Sequence, residues 1–122
     1  YYQDSIDGVS YENKGHLIVA ADSSIEHGLG RPQIIKQNNI YYVFYTRRLL
    51  SMKYFFGIAK SHDRKSWTKI DQEITGISHS NGDWDSDMIY FPSVLQIDNK
   101  ILMFYSGNDF GRSGVGFAEI KI

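Results

Sequence analysis

The residues able to do chemistry in this 122-residue chain fall in four short stretches. Residues 22–31 (DSSIEHGLGR) hold Glu26, His27 and Arg31, and residues 47–53 (RRLLSMK) begin with Arg47. Residues 83–90 (DWDSDMIY) hold Trp84, Asp85, Asp87 and Tyr90, and residues 107–114 (GNDFGRSG) hold Asn108 and Arg112. A glutamate beside a glycine turn can serve as a general acid if an apolar channel raises its pKa. Asp85 and Asp87, two residues apart, share one face of an extended segment with Cα atoms ~6.6 Å apart. There they can accept sugar hydroxyls, hold a cation or work with Glu26 as the acid–base set. Arg31 precedes a proline and requires either a carboxylate or an anionic ligand if it faces a channel; Asp87 or Glu26 is its expected partner. His27, Arg47, Trp84, Tyr90, Asn108 and Arg112 are the expected ligand-binding groups, with Trp84, Tyr90 and Phe110 supplying ring faces. With only three carboxylates at hand, no tightly bound metal is expected, and no cofactor signature is present.

These stretches alternate with short β-patterned runs. Pro32–Lys36, Ile40–Thr46, Tyr54–Lys60 and Trp67–Ile70 form one set of four. Pro92–Ile97, Ile101–Tyr105 and Val115–Ile120 form a second set that lacks its outer member. The two prolines stand 92 − 32 = 60 residues apart, and Asn38-Asn39, Phe44-Tyr45-Thr46 and Gly57-Ile58-Ala59 are answered by Asp98-Asn99, Phe104-Tyr105-Ser106 and Gly116-Phe117-Ala118. Residues 5–11 (SIDGVSY) likewise match residues 61–67 (SHDRKSW) at Ser, Asp, Ser and the terminal aromatic. Such repetition of short strands predicts an all-β fold, a partial β-propeller of about two blades. Residues 1–15 would end a preceding blade, 31–71 form a complete one, and 91–122 a final one without its outer strand. Tyr1 then falls inside a strand, so the chain is expected to need the remaining blades or other copies of itself. In an antiparallel meander the four chemistry-bearing stretches all lie at one end of the blades, where the two crossovers carry Glu26, His27, Arg31, Asp85, Asp87 and Tyr90 toward one opening. Arg47–Lys53 can also form a single helical turn.

Composition narrows the function classes. Lys and Arg number 13 against 14 Asp and Glu, a net charge of −1, which gives no electrostatic footprint for nucleic acid or an acidic membrane. There is no cysteine, hence no thiolate nucleophile or disulfide. Nine Tyr, seven Phe and two Trp fit stacked strands and equally a carbohydrate-binding surface.

The combination Gly-Arg-Pro-x-Ile-Ile, x-Tyr-Tyr-x-Phe-Tyr-Thr, Phe-Gly-Ile-Ala-x-Ser, Trp-Asp-Ser-Asp-Met-Ile-x-x-Pro and Phe-Tyr-Ser-Gly-Asn-x-Phe-Gly-x-x-Gly-x-Gly-x-Ala resembles the C-terminal blades of five-bladed propellers related to family-43 and family-32 glycoside hydrolases. More narrowly, it is similar to bacterial proteins that resemble the N-terminal domain of glucosamine inositolphosphorylceramide transferase. The resemblance implies a carbohydrate or sugar-derived ligand, with hydrolysis or glycosyl transfer in the catalytic members and binding alone as the alternative. It does not carry over a catalytic set. Where the hydrolases place an Asp before a strand proline, this chain has Arg31 and Phe91.

Overall fold

The computed structural model describes residues 1–11, 14–73 and 77–122. Asn38 and Asn39 both adopt left-handed backbone, φ 51° and 62°, as a two-residue hairpin between right-twisted strands requires. They join β1 (Glu26–Gln37) to β2 (Ile40–Leu49). β3 (Tyr54–Ser61) and the short outer β4 (Thr68–Lys69) complete an antiparallel sheet in the order β1-β2-β3-β4. β5 (Tyr90–Ile97), β6 (Lys100–Ser106) and β7 (Val115–Ile120) form a second antiparallel sheet in that order. The helical content of the described residues is two 3₁₀ turns, Asp71–Glu73 and Asp109–Gly111, so the fold is all-β. Its two meanders are compatible with part of a propeller.

Three sequence expectations change. β1 begins at Glu26 rather than Pro32, because Glu26, Gly28, Leu29 and Gly30 pair with Leu49, Arg48, Arg47 and Thr46. Those partners draw Arg47 and Arg48 into strand, so residues 47–53 make no helical turn; the chain reverses at Met52, whose N–H donates to the Leu49 carbonyl at 3.1 Å. The outer strand is reduced to Thr68–Lys69. At the N-terminus, Tyr2 and His16 form an isolated antiparallel bridge. Residues 12 and 13 of the expected 1–15 unit lie outside the described residues.

The matched turns share their chemistry. Asp7 Oδ1 accepts from Ser5 Oγ, Val9 N and Ser10 N, while Ser5 Oγ accepts from Gly8 N. Asp63 Oδ1 accepts from Ser61 Oγ, Lys65 N and Ser66 N, while Ser61 Oγ accepts from Arg64 N. An Asx turn of this kind satisfies backbone donors that no strand partner reaches.

β2 is apolar on both faces, and both are covered. Tyr42 and Phe44 pack with Phe56 and Ile58 of β3 against Val94, Met103 and Tyr105 of the second sheet. Val43 and Tyr45, with Ala59, pack on the other side against Val19, Leu29 and Trp67. Two polar links fix the sheets against each other at their inner strands. The Gln33 side-chain amide exchanges two hydrogen bonds of 2.8 Å with the backbone of Val94, and the Phe91 N–H donates to Thr46 Oγ1 at 3.0 Å. Next to them, Tyr54 at the start of β3 pairs with residues 87 and 89, its N–H donating to the Asp87 carbonyl and its carbonyl accepting from Ile89 N, both at 3.0 Å. These links hold the inner strand ends, and the side chains they carry, in one place.

Candidate functional site

Arg31 and Phe91 each precede a strand proline, and each has φ 54°. The β1–β2 register slips between Gly30 and Gln33 and the β5–β6 register between Tyr90 and Ser93. A bulge bends its strand and re-aims one side chain, at a cost of about 1–2 kcal/mol for left-handed backbone outside glycine. Here the two bulges lie side by side, and the Arg31 guanidinium sits 4.2 Å from the centre of the Phe91 ring. Beside them is a cavity of about 290 Å³ lined by His27, Arg31, Thr46, Arg48, Tyr54 and Phe91 among others. Tyr90 is fully buried behind these rings, 3.9 Å from Phe91 and edge-on to Tyr54 at 5.5 Å. Its hydroxyl has no hydrogen-bond partner among the described residues. Burial raises its pKa, helped by Tyr54 and opposed by Arg31, so it remains a protonated donor at neutral pH. Phe110, exposed and left-handed, presents its ring edge-on to both Tyr54 and Tyr90.

Of the expected residues, His27 and Arg31 line this opening, Tyr90 is buried behind the Phe91 and Tyr54 rings without lining it, and Glu26 is not at it. Adjacent strand residues point to opposite sides, so Glu26 turns away from His27 into a separate charged cluster. Its carboxylate accepts from Arg47 Nε at 2.5 Å, from Lys69 Nζ at 3.3 Å and from the Asp22 N–H at 2.7 Å. Arg47 also lies 3.7 Å from Asp71 Oδ2. The Tyr45 hydroxyl and the Ile58 N–H both donate to Asp71 Oδ1. The Glu26 pKa moves opposite to the expectation for a general acid. Burial pushes it up, but the Asp22 N–H and Arg47 outweigh burial and hold it below the ordinary value. The expected Arg31–carboxylate pair is not formed among the described residues: Glu26 is taken by Arg47 and Lys69, and Asp87 by Lys53 at 3.2 Å.

Asp85 and Asp87 do not share a face. The Ser86 N–H donates to the Asp83 carbonyl at 3.1 Å, so the segment turns instead of extending. Asp85 is buried and accepts from the Tyr105 hydroxyl at 3.1 Å, whereas Asp87 is exposed. Trp84 stacks on Tyr105 with centroids 5.5 Å apart and covers Gly107, Gly114 and Gly116, so it is a packing residue here and not an open platform. Asn108 is fully engaged within the protein. Its Oδ1 accepts from the N–H groups of Asp87 and Met88, and its Nδ2 donates to the Asp83 carbonyl and Ser86 Oγ. Arg112 is exposed on the same loop. Among the described residues no group of three His, Asp or Glu side chains is arranged to hold a metal ion.

Phe91, Tyr54, Thr46 and Arg48 line the opening without having been singled out as ligand groups. Phe91 carried a signal, since it occupies the same pre-proline position as Arg31. Tyr54 and Arg48 carried none, because a cross-strand pair on a β2–β3 register brings them together.

No family model matches the chain. Two proteins of Mycobacterium tuberculosis, the uncharacterized protein Rv1502 of strain H37Rv and the uncharacterized protein MT1551 of strain CDC 1551, are each 31% identical to it over 120 residues. The alignments take in 98% of this chain, which spans 39% of the length of each relative. Among solved structures the chain is similar to a glycoside hydrolase, with a TM-score of 0.56 and 23% identity over 77% of this chain and 27% of that one. It is also similar to the protein in a BT0996 RGII complex, with a TM-score of 0.52 and 22% identity over 75% of this chain and 26% of that one. At these identities the likeness is one of fold.

Proposed function

We propose that the chain is part of a carbohydrate-active β-propeller of the type found in family-43 and family-32 glycoside hydrolases, and that its share of the work is to recognise a glycan or an activated sugar. The observation that carries this reading is the fold shared with a glycoside hydrolase over 77% of the chain. The opening supports it with the mixture that sugar recognition uses, arginine, histidine and tyrosine on its lining and the exposed Phe110 ring edge-on to Tyr54. The narrower kinship with the N-terminal domain of glucosamine inositolphosphorylceramide transferase is part of the same proposal and rests on the motifs alone.

Recognition by these residues is favoured over catalysis by them. Hydrolysis by the usual route needs two carboxyl groups flanking the scissile bond, roughly 5–9.5 Å apart. Glu26 is held in its own ion-pair cluster, Asp85 is buried against Tyr105 and Asp87 pairs with Lys53. Any acid and base would come from residues beyond these. The test is a glycan array probed with the chain, run alongside a reducing-sugar release assay on each glycan bound. Binding without release is the expected result. Failure to retain any glycan would refute the reading, and release by the chain alone would assign it the catalytic role instead.

A further inference from the structure

The opening between the inner ends of β1 and β5 is unbalanced in charge. Arg31, Arg48 and His27 line it, and among the described residues no acidic side chain does. Arg47, one residue from Arg48, is neutralised by Glu26 and Asp71, but Arg31 and Arg48 form no ion pair among the described residues. This is a local feature, since the chain as a whole carries a net charge of −1. Arg31 is also held unusually for a solvated arginine. Its backbone is left-handed at φ 54° within a bulge, and its guanidinium is laid on the Phe91 ring at 4.2 Å. Strained backbone persists where the surroundings impose it, and such positions gather at binding sites. A guanidinium stacked on a ring keeps its N–H edge free and already oriented for a planar or tetrahedral oxyanion. The second feature is aromatic: Tyr54 lines the opening, and the exposed Phe110 ring stands edge-on to it at 5.9 Å.

We propose that this opening binds a sugar through an anionic substituent, the carboxylate of a uronic acid or the phosphate of a sugar phosphate, held by Arg31 and Arg48 while the sugar ring lies against the Phe110–Tyr54 aromatic cluster. This inference rests on the carbohydrate reading above and names the class of sugar. The two arginine charges on the lining favour such a ligand over its neutral counterpart. The interaction is partly exposed, so it weakens as salt is added.

The experiment is isothermal titration of the chain with glucuronate, galacturonate, glucose 1-phosphate, glucose, galactose and inorganic phosphate, each at low and high salt. At least one acidic sugar binds about tenfold or more tightly than its neutral partner, as expected for one charge-assisted hydrogen bond. Arg31→Gln and Arg48→Gln each remove that preference while leaving the far-ultraviolet circular dichroism unchanged. Glucuronate or galacturonate binding without glucose 1-phosphate binding identifies the anion as carboxylate, and the reverse identifies it as phosphate. Inorganic phosphate binding as tightly as glucose 1-phosphate, with no uronate binding, overturns the inference by making this a plain anion site. Equal affinity for neutral and acidic sugars, unaffected by Arg31→Gln, overturns it while leaving the carbohydrate reading intact. Absence of binding to every sugar here and on the array overturns both.

Discussion

Glu26 shows how one residue step on a strand decides the role of an ionisable group. Its neighbour His27 faces the opening, while the Glu26 carboxylate is buried between Arg47, Lys69 and the Asp22 N–H. Removing one member of a buried ion pair leaves the other charged and poorly solvated, which costs about 3–5 kcal/mol. Glu26→Ala is therefore expected to lower stability in chemical denaturation by about that amount, toward the smaller figure because Lys69 reaches solvent. The pH dependence follows from the lowered pKa. A carboxyl whose folded pKa lies below its unfolded value of 4.5 contributes its full stability above that value and loses it as pH falls through the folded one. The gap between the wild-type and Glu26→Gln unfolding free energies should thus close on acidification below pH 4.5. A gap that widened there would mean that Glu26 is protonated in the native state, as a general acid would be.

At the scale of elements, turn chemistry and glycine placement carry the construction. The Ser66 and Lys65 N–H groups hold the Asp63 carboxyl down to about 2, from an ordinary 3.8. Asp63→Ala is expected to lower the melting temperature at neutral pH. Because this too is a depressed carboxyl, its penalty should fade between pH 3.8 and about 2. A penalty independent of pH would show that the turn is held by something other than the carboxylate. On β7, a Cβ added at Gly116 would stand 2.6 Å from the Trp84 ring and 2.9 Å from that of Tyr105. Those rings are stacked on each other, so a shift of one disturbs the other. Gly116→Ala should cost about 1–3 kcal/mol, the range for overpacking a filled core, with a loss of near-ultraviolet dichroism from Trp84 as the local readout.

For the whole molecule, equivalent positions on the two sheets meet different fates. Phe44 pairs with Ile58 on β3, and Phe104 pairs with Phe117 on β7, in corresponding places. Phe44 is 0% exposed because the second sheet covers it, whereas Phe104 is 39% and Phe117 68% exposed. With Leu95 and Val115, they leave an apolar sheet face in contact with solvent. An uncovered face of this kind, beside β7, which pairs only with β6 among the described residues, favours association. Sedimentation velocity of the chain is expected to show concentration-dependent association, which Phe117→Glu should reduce without changing the far-ultraviolet spectrum. A monomer at all concentrations would show that this face is stable in water as it stands.

The strand pattern, a turn at Asn38-Asn39 and the matched Ser-x-Asp turns were legible in the sequence because each is specified by neighbours a few residues apart. Alternation along β2 also announced that both of its faces would be buried. Connectivity put Glu26, His27 and Arg31 on one crossover loop and Asp85, Asp87 and Tyr90 on the next, whereas His27 and Arg31 lie within β1 and Tyr90 begins β5. The sequence could not show that Asp85 and Asp87 part company, because their separation depends on a turn clamped by Asn108, some twenty residues later. Nor could it show that Glu26 would be claimed by Arg47 and Lys69, or that Arg31 would settle on Phe91. Those outcomes follow from strand register, from two bulges and from the packing of one sheet on another, and these long-range contacts are set only when the chain is folded.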